Sequence, residues 1–174
     1  PMFIKPARLG SSFGAHPVLT RSDFDVAYTD AYSKSKRVMI EEKIDVKFEL
    51  ECAYLGISNH EYAVGRVNSF GEFYDFQTKY RKGNNTEPVS KEDPYSLLAT
   101  EYSEKLRSYI GISDLSRFDF LVSKDGKVYF NEINTLPGMT RTSLYPILTE
   151  SMGYSEGEFI NLLIEKHLRR DRNI

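Results

Sequence analysis

A chain of 174 residues has room for one ordinary domain or slightly more, and 40% hydrophobic with 28% charged residues is a globular balance. A formal net charge of −2 gives no electrostatic reason to expect nucleic acid or an anionic membrane as partner. The single Cys52 excludes an intrachain disulfide and no apolar run approaches ~18 residues, so a reducing, cytoplasmic setting is expected. The chain opens at Pro1 and reads at once as a strand, as if it began inside a larger protein.

Residues 2–5 form an apolar strand carrying Lys5, ended by Pro6. The run ARLGSSFG that follows (residues 7–14) is rich in Gly and Ser. Such a loop either folds its amides round a phosphate, with Lys5 as a point charge, or is an ordinary turn. It lacks the G-x-x-x-x-G-K-[ST] order of a Walker loop. Ser22 with Asp25 predicts the start of a helix bearing Phe24, Ala27, Tyr28, Ala31 and Tyr32. Strands are predicted over 38–42, 48–57 and 62–70, the second alternating Phe48, Leu50, Cys52, Tyr54 against Glu49, Glu51, Ala53, Leu55. Cys52 reads as a small buried hydrophobe. His16, His60 and His167 share no spacing that suggests a metal site or a triad.

Residues 70–89 lose periodicity and mix aromatics with Lys79, Arg81 and several Gly and Asn. A structureless stretch that long predicts an active-site lid and the most mobile internal segment. Asp93-Pro94 then opens a helix that Gly111 closes. In 116–134, SRFDFLVSKDGKVYFNEIN, Asp125-Gly126 predicts a hairpin with a two-residue loop. Lys124 then faces Lys127, Asp119 faces Glu132, and Arg117 faces Asn134. Phe118, Phe120, Val122, Tyr129 and Ile133 take the opposite, core face. Two facing carboxylates repel unless a cation lies between them. Asp, Glu and an Asn oxygen are hard donors that suit Mg²⁺ or Ca²⁺, and the alternative is a solvated outer face. A loop containing Pro137-Gly138 follows, then a helix from Leu144 capped by Ser143, and a last helix started by Ser155-x-x-Glu158.

The stretches FIKPARLGSSFG (3–14), IEEKI (40–44), FELECAYLG (48–56), FYDFQTKY (73–80), SRFDF (116–120) and NEINTLPGMTRTSLYP (131–146) resemble, in order, the C-terminal two-thirds of D-alanine–D-alanine ligases, in the ATP-grasp superfamily. The resemblance implies an α+β ATP-grasp fold, mostly antiparallel sheet flanked by helices. Residues 1–42 would be the remainder of the central subdomain and 43–174 the C-terminal domain. The implied reaction is ATP-dependent ligation of two D-alanines through an acylphosphate, for peptidoglycan and cell-wall synthesis. ATP and two Mg²⁺ ions, or Mn²⁺ in their place, are the implied cofactors. By resemblance Lys5 and Lys79 bind ATP phosphates under a loop closed by Ser12. Glu42, Lys43 and Ile44 read adenine, Phe73 flanks it, and Glu49 holds the ribose. Asp119, Glu132 and Asn134 hold the metals. Arg117, the amide of Gly138, Ser11 and Tyr80 are the implied catalytic groups, and Ser143 and Leu144 meet the second substrate's carboxylate. The family's N-terminal domain is missing, so this chain alone is expected to be inactive. The full-length protein is expected to act on small molecules, off nucleic acid and membranes, and as a homodimer. Asp45 departs from the family's usual apolar residue, and Arg141-Thr142 from its Ser-His pair. D-serine or D-lactate as second substrate and nucleotide binding without ligation are the rival readings. Tyr80 and Leu144 match the D-alanine type.

Overall fold

Alternation in the first strand decides the small sheet at the start of the chain. In the computed structural model, which describes residues 1–10, 12–57, 59–67, 86–140 and 143–171, β1 (Met2–Pro6) buries Ile4 and turns Lys5 to the other face. It pairs antiparallel with β2 (His16–Val18) on one side and β3 (Val38–Glu42) on the other. Helix α1 (Arg21–Lys34) lays Ala27 and Ala31 on Ile4 and Val18, with Met2, Phe24 and Val38 at the fringe. The helix starts earlier than Ser22-Asp25 predicts. Thr20 is the N-cap, and the Asp23 carboxylate reaches back to accept the Thr20 N–H at 2.8 Å, so the reciprocal pair is Thr20 and Asp23. Among the described residues this first compact unit spans Pro1–Asp45.

The second unit is built on a five-stranded antiparallel sheet, β6 (Thr86–Pro88), β5 (His60–Val67), β4 (Val46–Gly56), β7 (Leu115–Ser123) and β8 (Val128–Asn134), in that order. On one face Phe48, Leu50, Cys52 and Tyr54 of β4 meet Phe118, Phe120 and Val122 of β7 under helix α2 (Pro94–Ile110). Cys52 is fully buried, as expected, and burial pushes its thiol pKa up to about 12. Asp93 caps α2 by accepting the Tyr95 and Ser96 amides, and Gly111 closes it at φ 82°. On the other face α3 (Leu144–Ser151) and α4 (Glu156–Asp171) cover Ala53, Leu55 and Ala63 with Tyr145, Leu148 and Phe159. The Tyr145 hydroxyl donates to the Tyr54 carbonyl at 2.6 Å. Residues 86–88, inside the stretch predicted as lid, form edge strand β6, because their backbone can complete the β5 ladder. Val89 N–H donates to the Val64 carbonyl at 2.8 Å, and residues 70–85 of the predicted lid lie outside the described residues. No described helix is long and apolar enough to cross a membrane.

The central hairpin corrects its prediction twice. Ser123 N–H donates to the Lys127 carbonyl and Gly126 N–H to the Ser123 carbonyl, so the loop is Lys124, Asp125 and Gly126, with Gly126 at φ 86°. Ser123, and not Lys124, therefore faces Lys127: a type I turn followed by a left-handed glycine is the three-residue solution. That shift is undone by a bulge. Phe120 pairs with Phe130 but Asp119 with Glu132, leaving Asn131 as the extra residue. Beyond it Asp119 faces Glu132 and Arg117 faces Asn134, as expected. Before it Tyr129 opposes Leu121 and leaves the core face, where Phe130 packs instead with its ring 5.9 Å from that of Phe120.

A polar knot fastens α2 to β5. Arg107 donates to both carboxylate oxygens of Glu104, at 3.0 and 2.6 Å, and to the Tyr62 hydroxyl, which itself donates to Glu104. These bonds, Arg107's foremost, hold the Glu104 carboxyl at about 2, below its ordinary 4.5. A carboxyl depressed on folding stabilises above its ordinary pKa and loses that contribution as pH falls through the folded value. Glu104→Gln is therefore expected to lower the melting temperature at pH 7, with the gap to wild type closing between pH 4.5 and about 2 in melts run across pH. Glu104 is 41% exposed, so the effect is at most about 1 kcal/mol.

Candidate functional site

The two helices on the second face of the large sheet cover only its apolar end. The other end of that face carries Glu49 and Glu51 from β4, Arg117 and Asp119 from β7, and Glu132 and Asn134 from β8, all placed by alternation and pairing. The Arg117 guanidinium grips Asp119 with two teeth, Nε to Oδ1 and Nη2 to Oδ2, both at 2.7 Å. Its Nε also lies 3.2 Å from Glu51 Oε2. The side chains of Glu51, Asp119 and Arg117 are 11%, 13% and 19% exposed. Burial works against the charge on Arg117, yet its bonds to Asp119 and the fields of Asp119, Glu51 and Glu132 hold its pKa above the ordinary value. Asn134 Nδ2 donates to Asp119 Oδ2 at 3.0 Å. Glu132, opposite Asp119, is exposed.

This arrangement brings together Arg117, Asp119, Asn134 and Glu132 as predicted, with Glu49 half-buried on the same face. Glu51 was missed. Alternation put it beside Glu49, but only the β4–β7 register, with Glu51 opposite Asp119, reveals its link to Arg117. Asp119 is gripped by a guanidinium two residues back on the same strand, a contact that alternation alone does not reveal. Among the described residues no three His, Cys, Asp or Glu gather closely enough to hold a metal unaided. Two facing carboxylates and an amide nonetheless form an all-oxygen donor set that fits Mg²⁺ or Mn²⁺ completed by phosphate oxygens.

Gly138 and Ser143 lie together in the loop after β8. A Cβ at position 138 would sit 2.8 Å from Ser143 Oγ. That hydroxyl accepts the Thr140 N–H at 3.1 Å and pairs with Thr140 Oγ1 at 2.8 Å. Ser143 occupies the N-cap position of α3, but its side chain makes no capping bond, because Thr140 holds it. Gly138→Ala is expected to push Ser143 away and loosen this loop, costing about 1–3 kcal/mol in chemical denaturation. An unchanged midpoint would mean that the loop yields freely.

In the first unit Lys5 Nζ is ion-paired with Glu41 Oε2 at 2.8 Å across β1 and β3. Ser12 takes φ 57°, a conformation that few non-glycine residues adopt, within the Gly/Ser loop. Glu42 ends β3, and Lys43 and Ile44 are irregular, with Lys43 N–H donating to the Pro1 carbonyl. Leu144, half-buried, begins α3. Ser11, Phe73, Lys79 and Tyr80 lie outside the described residues, as do Arg141 and Thr142.

Against known proteins, residues 1–165 match the family described as D-ala D-ala ligase C-terminus. A D-alanine–D-alanine ligase of Lactococcus lactis is 40% identical over 169 residues, covering 95% of this chain and 48% of the relative. The chain thus spans about half the length of the curated relatives it matches. Among solved structures, the D-alanine–D-alanine ligase of Coxiella burnetii superposes with a TM-score of 0.80 at 28% identity, covering 99% of this chain and 46% of the other. The VanG D-Ala:D-Ser ligase of Enterococcus faecalis does so at 0.78 and 32% identity, covering 95% and 49%.

Proposed function

The chain belongs to the D-ala D-ala ligase C-terminus family, and on that premise we propose that it supplies the nucleotide- and metal-binding part of a ligase joining two D-alanines at the expense of ATP. Such a ligase would supply a dipeptide for cell-wall precursors. One observation carries the reading: a largely shielded guanidinium held by Glu51 and Asp119, with Glu132 across the strand pair, on a sheet face whose other end is covered by helices.

In the first step a D-alanine carboxylate oxygen bonds to the γ-phosphorus of ATP, the bridge to the β-phosphate breaks, and ADP leaves an acylphosphate. In the second, the amine of another D-alanine attacks the carbonyl carbon, the tetrahedral adduct loses phosphate, and the amine gives up a proton. Lys5 and the loop with Ser12 hold phosphate, Glu42, Lys43 and Ile44 take the adenine, and Glu49 the ribose. Asp119, Glu132 and Asn134 hold Mg²⁺, which when bound neutralises phosphate charge. Arg117 and the Gly138 amide face the negative charge of the tetrahedral adduct. Ser143 and Leu144, where α3 begins, receive the second substrate's carboxylate. Ser11, Phe73, Lys79 and Tyr80 keep the roles that the family resemblance gives them. The residues 1–42 and 43–174 serve as two ATP-grasp parts.

D-serine as second substrate is the competing reading, favoured by the likeness to the VanG D-Ala:D-Ser ligase. Leu144 argues for D-alanine, since an apolar side chain leaves a serine hydroxyl without a partner, a loss of about 1–3 kcal/mol. Phosphate release by the full-length protein with Mg-ATP and D-alanine, D-serine or D-lactate decides it. A higher kcat/KM for D-serine or D-lactate would overturn the D-alanine assignment, and no release with any of them would overturn the ligase.

A further inference from the structure

The Gly/Ser loop after β1 is clasped from one side by the last turn of α1. The stem of Lys34, the final residue of that helix, lies against Gly14, where an added Cβ would come within 2.6 Å of Lys34 Cδ and 3.0 Å of Pro6 Cγ. Gly14 itself is at φ 76°, so its place in the turn has both a conformational and a steric reason for glycine. The Lys34 ammonium lies 5.2 Å from the centre of the Phe13 ring. It is held there by an ion pair with Asp30, one helical turn earlier. The other oxygen of Asp30 binds His16 Nε2 at 2.6 Å, and His16 is the first residue of β2, where the loop ends. At the other end the Ala7 N–H donates to the Arg37 carbonyl at 2.8 Å. Between these anchors the loop makes its own turns, Phe13 N–H to the Gly10 carbonyl and Ala15 N–H to the Ser12 carbonyl.

Asp30 thus spends one oxygen on the residue that leaves the loop and the other on the lysine that lies across it. We propose that Lys34 and Asp30 are positioning residues for nucleotide phosphate: they hold the loop around Ser12 in its left-handed turn so that its amides are ordered before ligand arrives. This rests on the reading of that loop as a phosphate site. Neither side chain is placed to touch phosphate, since the carboxylate faces a lysine and a histidine and the ammonium faces that carboxylate and a ring. Their contribution is the conformational ordering that would otherwise accompany binding.

The test uses the full-length protein, with Mg-ATP as ligand in calorimetry and hydrogen exchange read at the amides of residues 12–15. Lys34→Ala and Asp30→Asn are expected to speed exchange in that loop and weaken ATP about ten-fold, the scale of ordering one residue's backbone. Lys34→Arg, which keeps the stem and the charge, is expected to restore both. Far-ultraviolet dichroism of each variant checks that the helix and the fold are kept. Unchanged exchange in both variants would overturn the clasp. Faster exchange with ATP affinity within two-fold of wild type would overturn the positioning role while leaving the phosphate site intact. Full-length wild-type protein that ignores ATP would overturn the phosphate site on which the role depends.

Discussion

Arg117→Ala is expected to destabilise the second unit by about 3–5 kcal/mol, the range found when one partner of a buried ion pair is removed. The size follows from what is left behind. Asp119 would lose two charge-assisted bonds of 2.7 Å, and Glu51 its cation at 3.2 Å, with both carboxylates nearly out of solvent. Simple packing loss would cost less, since the sheet beneath is sealed by Phe118 and Cys52 on its far side. Urea melts of the chain with a double-mutant cycle separate the two. Arg117→Ala combined with Asp119→Asn should recover a large part of the loss, because the carboxylate that needed the cation is gone. A single variant within about 1 kcal/mol of wild type, or a double variant with strictly additive losses, would show that the guanidinium does not hold the site together.

The same arginine shows how far residues alone carry the fold and where they stop. Alternation in 116–123 correctly put Arg117 and Asp119 on one face and Phe118, Phe120 and Val122 on the other, because a half-buried strand allows no other pattern. Asp93-Pro94 and Gly111 bounded α2, since caps are local chemistry. The facing of Asp119 and Glu132 was also foreseen, but through two compensating shifts: a loop of three residues where two were expected, and the bulge at Asn131 that restores the count. Nothing in Phe130-Asn131-Glu132 announces a bulge, which arises when both ends of a strand must satisfy different neighbours. The link between Glu51 and Arg117, and that between Lys5 and Glu41, depend on which strands pair and in what register. Those pairings are long-range, and short-range pattern does not encode them. The bidentate hold of Arg117 on Asp119 has the same origin, for spacing along a strand does not set rotamers.

Glu132→Gln is expected to lower the proposed ligase activity of the full-length protein by about 10²–10³-fold, the usual loss when one group stabilising transition-state charge is removed. The folded chain should not suffer for it. Among the described residues the open face gathers Glu51, Asp119 and Glu132 around Arg117, and Arg117 already spends its short contacts on the first two. Glu132 sits directly across the strand pair from Asp119, where like charges repel by up to about 1 kcal/mol. Glutamine keeps the shape and removes that repulsion, so the variant's melting temperature should match or exceed wild type. Loss of function with equal or better stability separates a residue kept for ligand from one kept for the fold. Manganese binding read by its paramagnetic signal in the presence of ATP supplies a measure independent of turnover: the variant should bind more weakly at every ATP concentration. A clear fall in stability would place Glu132 among the structural carboxylates, and unchanged manganese binding would remove it from the metal site.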